Sequence, residues 1–256
     1  MEDIDKASKI KGLAWVIAAV GIAAVFGFGI TPFVRAIPWS WEKKISHVVG
    51  SVTSNVCSGN PKNEALLNQL VTRLYPLDRE DAKVSINVQM VNDPTVNAFA
   101  GLGGNIVVNS GLLEQAESAE EVAGVLAHEI EHVRHRHILE GFVVYLMTAE
   151  GVRILFSGGS VSNAKWASYF LHMGFSRSQE AEADEGALLR LQKAHVDNKG
   201  FREFFARMKK MSLVPSFLSD HPSNQSRSEM AEKFPSQDVK PIMTDEEWKT
   251  FKEYCQ

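Results

Sequence analysis

The stretch that most constrains this chain runs from Ser118 to His135, SAEEVAGVLAHEIEHVRH. Ser118 followed three residues later by Glu121 is a capping box, which opens a helix by answering its first free N–H groups. Val122, Val125, Leu126 and Val133 then recur at helical spacing and form an apolar side. His128 and His132 are four residues apart, so both imidazoles leave one face of that helix and can reach one ion. Glu129 projects about 100° round from His128, where it can hold a water beside such an ion and act as general base.

Two imidazoles leave a zinc ion short of one protein ligand and one open position. The segment Ser176-Arg177-Ser178-Gln179-Glu180-Ala181-Glu182-Ala183-Asp184 supplies carboxylates on a second helix. Glu180 and Asp184 share a face, with Glu182 pointing away from it. Glu180 is assigned to the metal and Asp184 to His128, whose second ring N–H it would accept. A solvated acidic helix is the plainer alternative, because Glu182 and Glu185 are there too. His135 shares the face of His128 and His132, but the three span roughly 10.5 Å of rise, too far to converge on one tetrahedral ion. His135 and His137 are therefore read as standing behind the ligands or on the surface.

The 256 residues suit one globular domain plus an appendage. Net charge is −4 and no Lys/Arg cluster stands out, which argues against nucleic acid as a partner. Gly12 to Val34 holds no charged residue and is long enough to span a bilayer. A cleavable signal peptide would have a shorter apolar region ending in a small-x-small site, and no clean site precedes Arg35. The domain reading is an N-terminal tail over 1–11, a membrane anchor over 12–34, a connector over 35–62 and a metallopeptidase domain over 63–256. Lys6, Lys9 and Lys11 balance Arg35, Lys43 and Lys44, so the positive-inside count is even. The short tail and Trp39 and Trp41 after the span favour an extracytoplasmic catalytic domain. Cys57 and Cys255 have no metal-ligand spacing; they are either buried thiols or one disulfide.

The expected architecture is α+β, a small sheet beside a mostly helical body. Asn63–Tyr75 is an amphipathic helix stopped by Pro76, and Val84–Met90 alternates as a strand. Val96–Ala100 and Ile106–Asn109 are short strands around Gly101–Gly104, a turn that needs glycine. Further helices are expected over 141–156, 165–173, 177–193, 200–211, 224–234 and 244–254. Asn105, Ile106, Val107 and Val108 are expected to form an edge strand that binds an extended peptide, an interior strand being the alternative.

With these motifs in order, the chain resembles the HtpX-like and CAAX-prenyl-protease-like zinc endopeptidases of peptidase family M48, over roughly Asn63 to Phe234. The resemblance rests on Asn97-Ala98-Phe99-Ala100, Gly103-Gly104-Asn105-Ile106-Val107-Val108, Gly111-Leu112-Leu113, the H-E-x-x-H, the Ser-Arg-x-x-Glu-x-x-Ala-Asp pattern, and Ser219-Asp220-His221-Pro222 with Arg227. It implies a minimal gluzincin fold, one zinc ion, and hydrolysis of membrane-associated or misfolded proteins. It also makes His221 a candidate for transition-state contact or a fourth ligand, and places Arg227 behind the site. A single span departs from the multi-span members and argues against an intramembrane or prenyl-protein substrate. The non-enzyme alternative is a membrane-anchored chaperone or adaptor stabilised by zinc. The sequence carries no reading of the oligomeric state.

Overall fold

A computed structural model describes residues 29–49, 55–76, 84–148, 174–210 and 227–255. Helices α1 (Thr31–Ala36), α2 (Trp39–Val49) and α3 (Pro61–Leu74) come first. Strands β1 (Asn87–Val91), β2 (Ala98–Ala100) and β3 (Asn105–Asn109) follow, with a 3₁₀ turn at Leu102–Gly104. After them come α4 (Ser110–Gln115), α5 (Ala119–His135), α6 (His137–Leu146), α7 (Arg177–Lys193), α8 (Lys199–Lys210), α9 (Arg227–Glu232) and α10 (Asp245–Lys252). A mostly helical body beside a small sheet is the architecture expected from the sequence.

The capped helix α5 is the centre of the body. Ser118 Oγ accepts from the Glu121 N–H, as the sequence predicts. The Glu121 carboxylate reaches the Glu117 N–H rather than that of Ser118, and pairs with Arg207 of α8. Every residue from Glu121 to Val133 is buried. Such a helix needs covering on all sides: α7, α8, β2, β3 and α3 all pack on it. Its polar residues must then be answered inside the protein.

The sheet has the order β1-β3-β2, with β3 parallel to β1 and antiparallel to β2. This corrects the expectation that Asn105–Val108 is an edge strand. Both edges of β3 are paired, Asn87↔Asn105 through Val91↔Asn109 on one side and Ala98↔Val108 through Ala100↔Ile106 on the other. Ile106, Val107 and Val108 are buried, as suits a strand covered on both faces. Among the described residues the edge strands are β1 and β2, and residues 55–57 line the outer side of β1, with the Cys57 N–H donating to Met90 O. The β2–β3 turn needs glycine as expected: Gly103 and Gly104 have φ of +73° and +89°, and a Cβ on Gly104 would stand 1.8 Å from Ser85 O.

Of the stretch 35–62, read as a connector, residues 39–49 form α2, which packs on the body. The Gly103 N–H donates to Glu42 Oε1 and Asn105 Nδ2 donates to Ser46 Oγ. Val34 and Trp39 are buried in the main core, and the Arg136 guanidinium lies 5.1 Å from the Trp39 ring centroid. Among the described residues no helix is long and apolar enough to cross a membrane. Most of the run from Gly12 to Val34 lies outside the described residues, as do the helix expected over 165–173 and His221. Towards the other end of the chain, α10 opens with a full capping box of Thr244 and Glu247. Cys57 and Cys255, left open by the sequence, form a disulfide with a Cα–Cα distance of 5.1 Å.

Candidate metal centre

Helices α5 and α7 pack along each other, and their facing residues bring three donors together. His128 Nε2 and His132 Nε2 are 3.0 Å apart. Glu180 Oε2 stands 3.6 Å from the first and its Oε1 3.3 Å from the second. All three side chains are fully buried. Zinc–nitrogen bonds near 2.05 Å at tetrahedral angles hold neighbouring donors about 3.3 Å apart, so this spacing fits one ion. The donor set fits as well: two imidazoles and one carboxylate converge where a neutral interior would place no charge.

The far side of each imidazole shows which nitrogen faces the donors. Asp184 Oδ1 stands 3.0 Å from His128 Nδ1, one turn beyond Glu180 on α7. A carboxylate there favours the proton on Nδ1 and leaves a lone pair on Nε2. His132 Nδ1 is hydrogen-bonded to His137 Nδ1 at 3.0 Å, and His137 Nε2 to Glu182 Oε2 at 3.2 Å. Burial is the main reason that the His137 pKa falls to about 4, which keeps its ring neutral. A neutral ring donates from Nε2 to Glu182 and accepts at Nδ1 from His132. Both Nε2 lone pairs therefore point into the same small volume, an arrangement that a divalent cation satisfies.

Phe175 stacks on His132, with centroids 3.8 Å apart, and Phe205 of α8 leans on His128 at 5.6 Å. These rings narrow the ways in which the imidazoles can turn. Glu129 is fully buried beside His128. Glu131, the other glutamate between the histidines, is held by Arg190 and Arg134. The structure thus brings together His128, His132, Glu180 and Asp184. It places Asn105 to Val108 in the sheet centre, and Arg227 at the first residue of α9.

His137, Phe175 and the reach of Glu182 are not readable from spacing. His137 lies five residues past His132, off the histidine face of a straight helix. The chain turns between α5 and α6 at Arg136, whose φ of +62° is left-handed, and this swings His137 back to His132. A non-glycine residue persists there because its surroundings hold it. Arg136 donates to the backbone oxygens of Val34 and Ile37 and pairs with Glu42.

The sequence model of peptidase family M48 matches residues 61–234, more than half of the chain, with the three donors above and Asp184 among them. The chain belongs to peptidase family M48. Among relatives of this M48 chain, the mitochondrial metalloendopeptidase OMA1 of Arabidopsis thaliana is 36% identical over 151 residues, covering 57% of this chain and 31% of that one. The beta-barrel assembly-enhancing protease of Yersinia pestis is 26% identical over 182 residues, 63% of this chain and 36% of that one. The metalloprotease LoiP of Escherichia coli is 28% identical over 179 residues, 66% of this chain and 70% of that one. The M48 chain thus spans about a third of the length of the first two.

Proposed function

We propose that this chain is a zinc-dependent endopeptidase, anchored in a membrane by the part of the apolar run from Gly12 that precedes α1, that hydrolyses peptide bonds of proteins. Thr31 to Val34, expected within the anchor, belong to α1 on the body. The observation that carries the reading is the convergence of His128 Nε2, His132 Nε2 and Glu180 within 3.0–3.6 Å of one another beside Glu129, in an M48 chain. His128, His132 and Glu180 hold the ion. When bound, zinc supplies Lewis acidity: it polarises the scissile carbonyl and makes a water acidic. Glu129 accepts the proton of the attacking water and delivers it to the leaving amine nitrogen. Asp184 keeps the His128 proton on Nδ1, and Phe175 and Phe205 limit ring rotation. His221, with Arg227 behind it, is the candidate to meet the developing oxyanion.

The relatives, a metalloendopeptidase and proteases, support peptide bonds as the target. An extracytoplasmic catalytic domain is supported by the Cys57–Cys255 disulfide, because such bonds persist in oxidising compartments. Substrates that are misfolded or membrane-associated fit an active site tethered close to a bilayer.

The test is metal analysis together with casein turnover, wild type beside Glu129→Gln. One zinc per chain in both, with turnover in the wild type alone, is the expected result. Zinc without turnover in the wild type would leave a zinc-stabilised adaptor, and turnover by Glu129→Gln would remove the general base from this reading.

A further inference from the structure

We propose that Glu182 and Arg35 are positioning residues for the metal ligand His132, acting through His137; this rests on the zinc reading above. The chain of contacts is continuous and comes from four elements. His132 Nδ1 meets His137 Nδ1 at 3.0 Å, and His137 Nε2 meets Glu182 Oε2 at 3.2 Å. The other carboxylate oxygen, Glu182 Oε1, stands 2.9 Å from both Arg35 Nη2 and His135 Nδ1.

Only one proton fits between two Nδ1 atoms 3.0 Å apart. With that proton on His132, the ring presents a lone pair at Nε2, which would face a bound ion. His137 must then carry its own proton on Nε2, and Glu182 accepts it. In the opposite arrangement His137 donates from Nδ1, the His132 proton moves to Nε2, and that nitrogen cannot ligate. The carboxylate of Glu182 selects the first arrangement, because an acceptor with no proton of its own can only receive. Asp184 does this for His128 in one step, whereas His132 reaches its carboxylate through a second imidazole.

Arg35 holds that carboxylate in place. Glu182 and Arg35 are 38% and 47% exposed, so their pair is weak as a source of stability. Its effect is geometric. Arg35 belongs to α1, which is fastened to the body by Arg136 on the oxygens of Val34 and Ile37 and by Thr31 Oγ1 on Glu140 Oε1. The segment that follows the apolar run therefore reaches the zinc ligand set through Glu182. His135, His137 and Glu182 also lie close enough to form an ion site themselves. That use would require the Nε2 lone pair that His137 spends as an N–H, and would displace the Arg35 guanidinium.

The experiment is zinc affinity of the full-length chain by competition with a chromogenic chelator, paired with thermal unfolding of the metal-free protein. The variants are Glu182→Gln, Arg35→Met, the double variant, and Glu180→Gln as control. Glu182→Gln should weaken zinc by about 10- to 100-fold. Arg35→Met should weaken it about threefold, the scale of an exposed ion pair, and have no further effect once Glu182 is Gln. Metal-free unfolding should stay close to that of the wild type in all three, since both side chains are partly exposed. Unchanged zinc affinity in Glu182→Gln overturns the proposal, as does a loss that merely tracks metal-free instability. A second zinc per chain that vanishes in Glu182→Gln also overturns it, in favour of an ion site. If Glu180→Gln too keeps full affinity, the zinc reading itself has failed.

Discussion

Arg190 and Glu131 are paired inside the protein where α7 meets α5: Arg190 Nη2 stands 2.6 Å from Glu131 Oε1, with 4% and 1% of the two side chains exposed. Arg190 Nη1 also donates to Leu74 O, and its guanidinium lies over the Tyr75 ring. Arg134 takes the second oxygen of Glu131 at 2.8 Å. By helical geometry Glu129 and Glu131 lie about 80° to either side of the histidine direction. The ion pairs neutralise Glu131 within the contact between α5 and α7.

Burial by itself would raise the Glu131 pKa, but the His135 hydrogen bond and the charges of Arg190 and Arg134 bring it down to about 2, from an ordinary 4.5. A carboxyl depressed in the folded state stabilises the fold above its unfolded pKa, and that contribution is lost as pH falls from about 4.5 to about 2. Glu131→Gln should therefore flatten this part of the acid limb of metal-free unfolding. At pH 7 it should cost about 3–5 kcal/mol, because Arg190 stays buried without its partner. Denaturant midpoints against pH for the two proteins check both signs; parallel acid limbs would show that Glu131 does not drive the transition.

Gly186 is required by the same contact. A Cβ there would come within 2.6 Å of Glu131 Cγ, and that side chain is pinned by two arginines. Alanine normally gains about 1 kcal/mol over glycine within a helix. Here overpacking of about 1–3 kcal/mol should offset that gain, so that Gly186→Ala does not stabilise the domain. A raised melting temperature for this variant would mean that the interface yields.

Proline in β3 tests the corrected strand order. Both neighbours draw on its backbone, so replacing Ile106, Val107 or Val108 removes a ladder hydrogen bond and should cost about 3 kcal/mol or more. Circular dichroism of all three variants should show loss of the cooperative fold. A folded variant that retains zinc would place β3 at an edge after all.

The Cys57–Cys255 bond closes a loop with a sequence separation of 198 and ties the strand-edge segment to the residues after α10. Cys57→Ser with Cys255→Ser should lower stability by about 2–4 kcal/mol. The wild type in excess reductant should unfold like the double variant. Equal stability with and without reductant would mean that the bond contributes nothing.

The metal helix, its serine cap and the shared face of His128 and His132 were legible in the sequence, because side chains four apart on a helix are neighbours in any fold. Glu180 and Asp184 were legible for the same reason, and Gly103–Gly104 because a left-handed turn admits few other residues. The place of β3 was not. Alternation along a strand tells which side chains face in, but not which strand lies beside it, and that depends on pairing with residues 87–91. Tertiary structure likewise decided that His137 stands behind His132. The turn at Arg136 that brings it there is held by Val34, Ile37 and Glu42, about 100 residues earlier in the chain. It also decided the disulfide and the link from Arg35 to Glu182. Each joins distant segments whose meeting depends on packing rather than on local spacing.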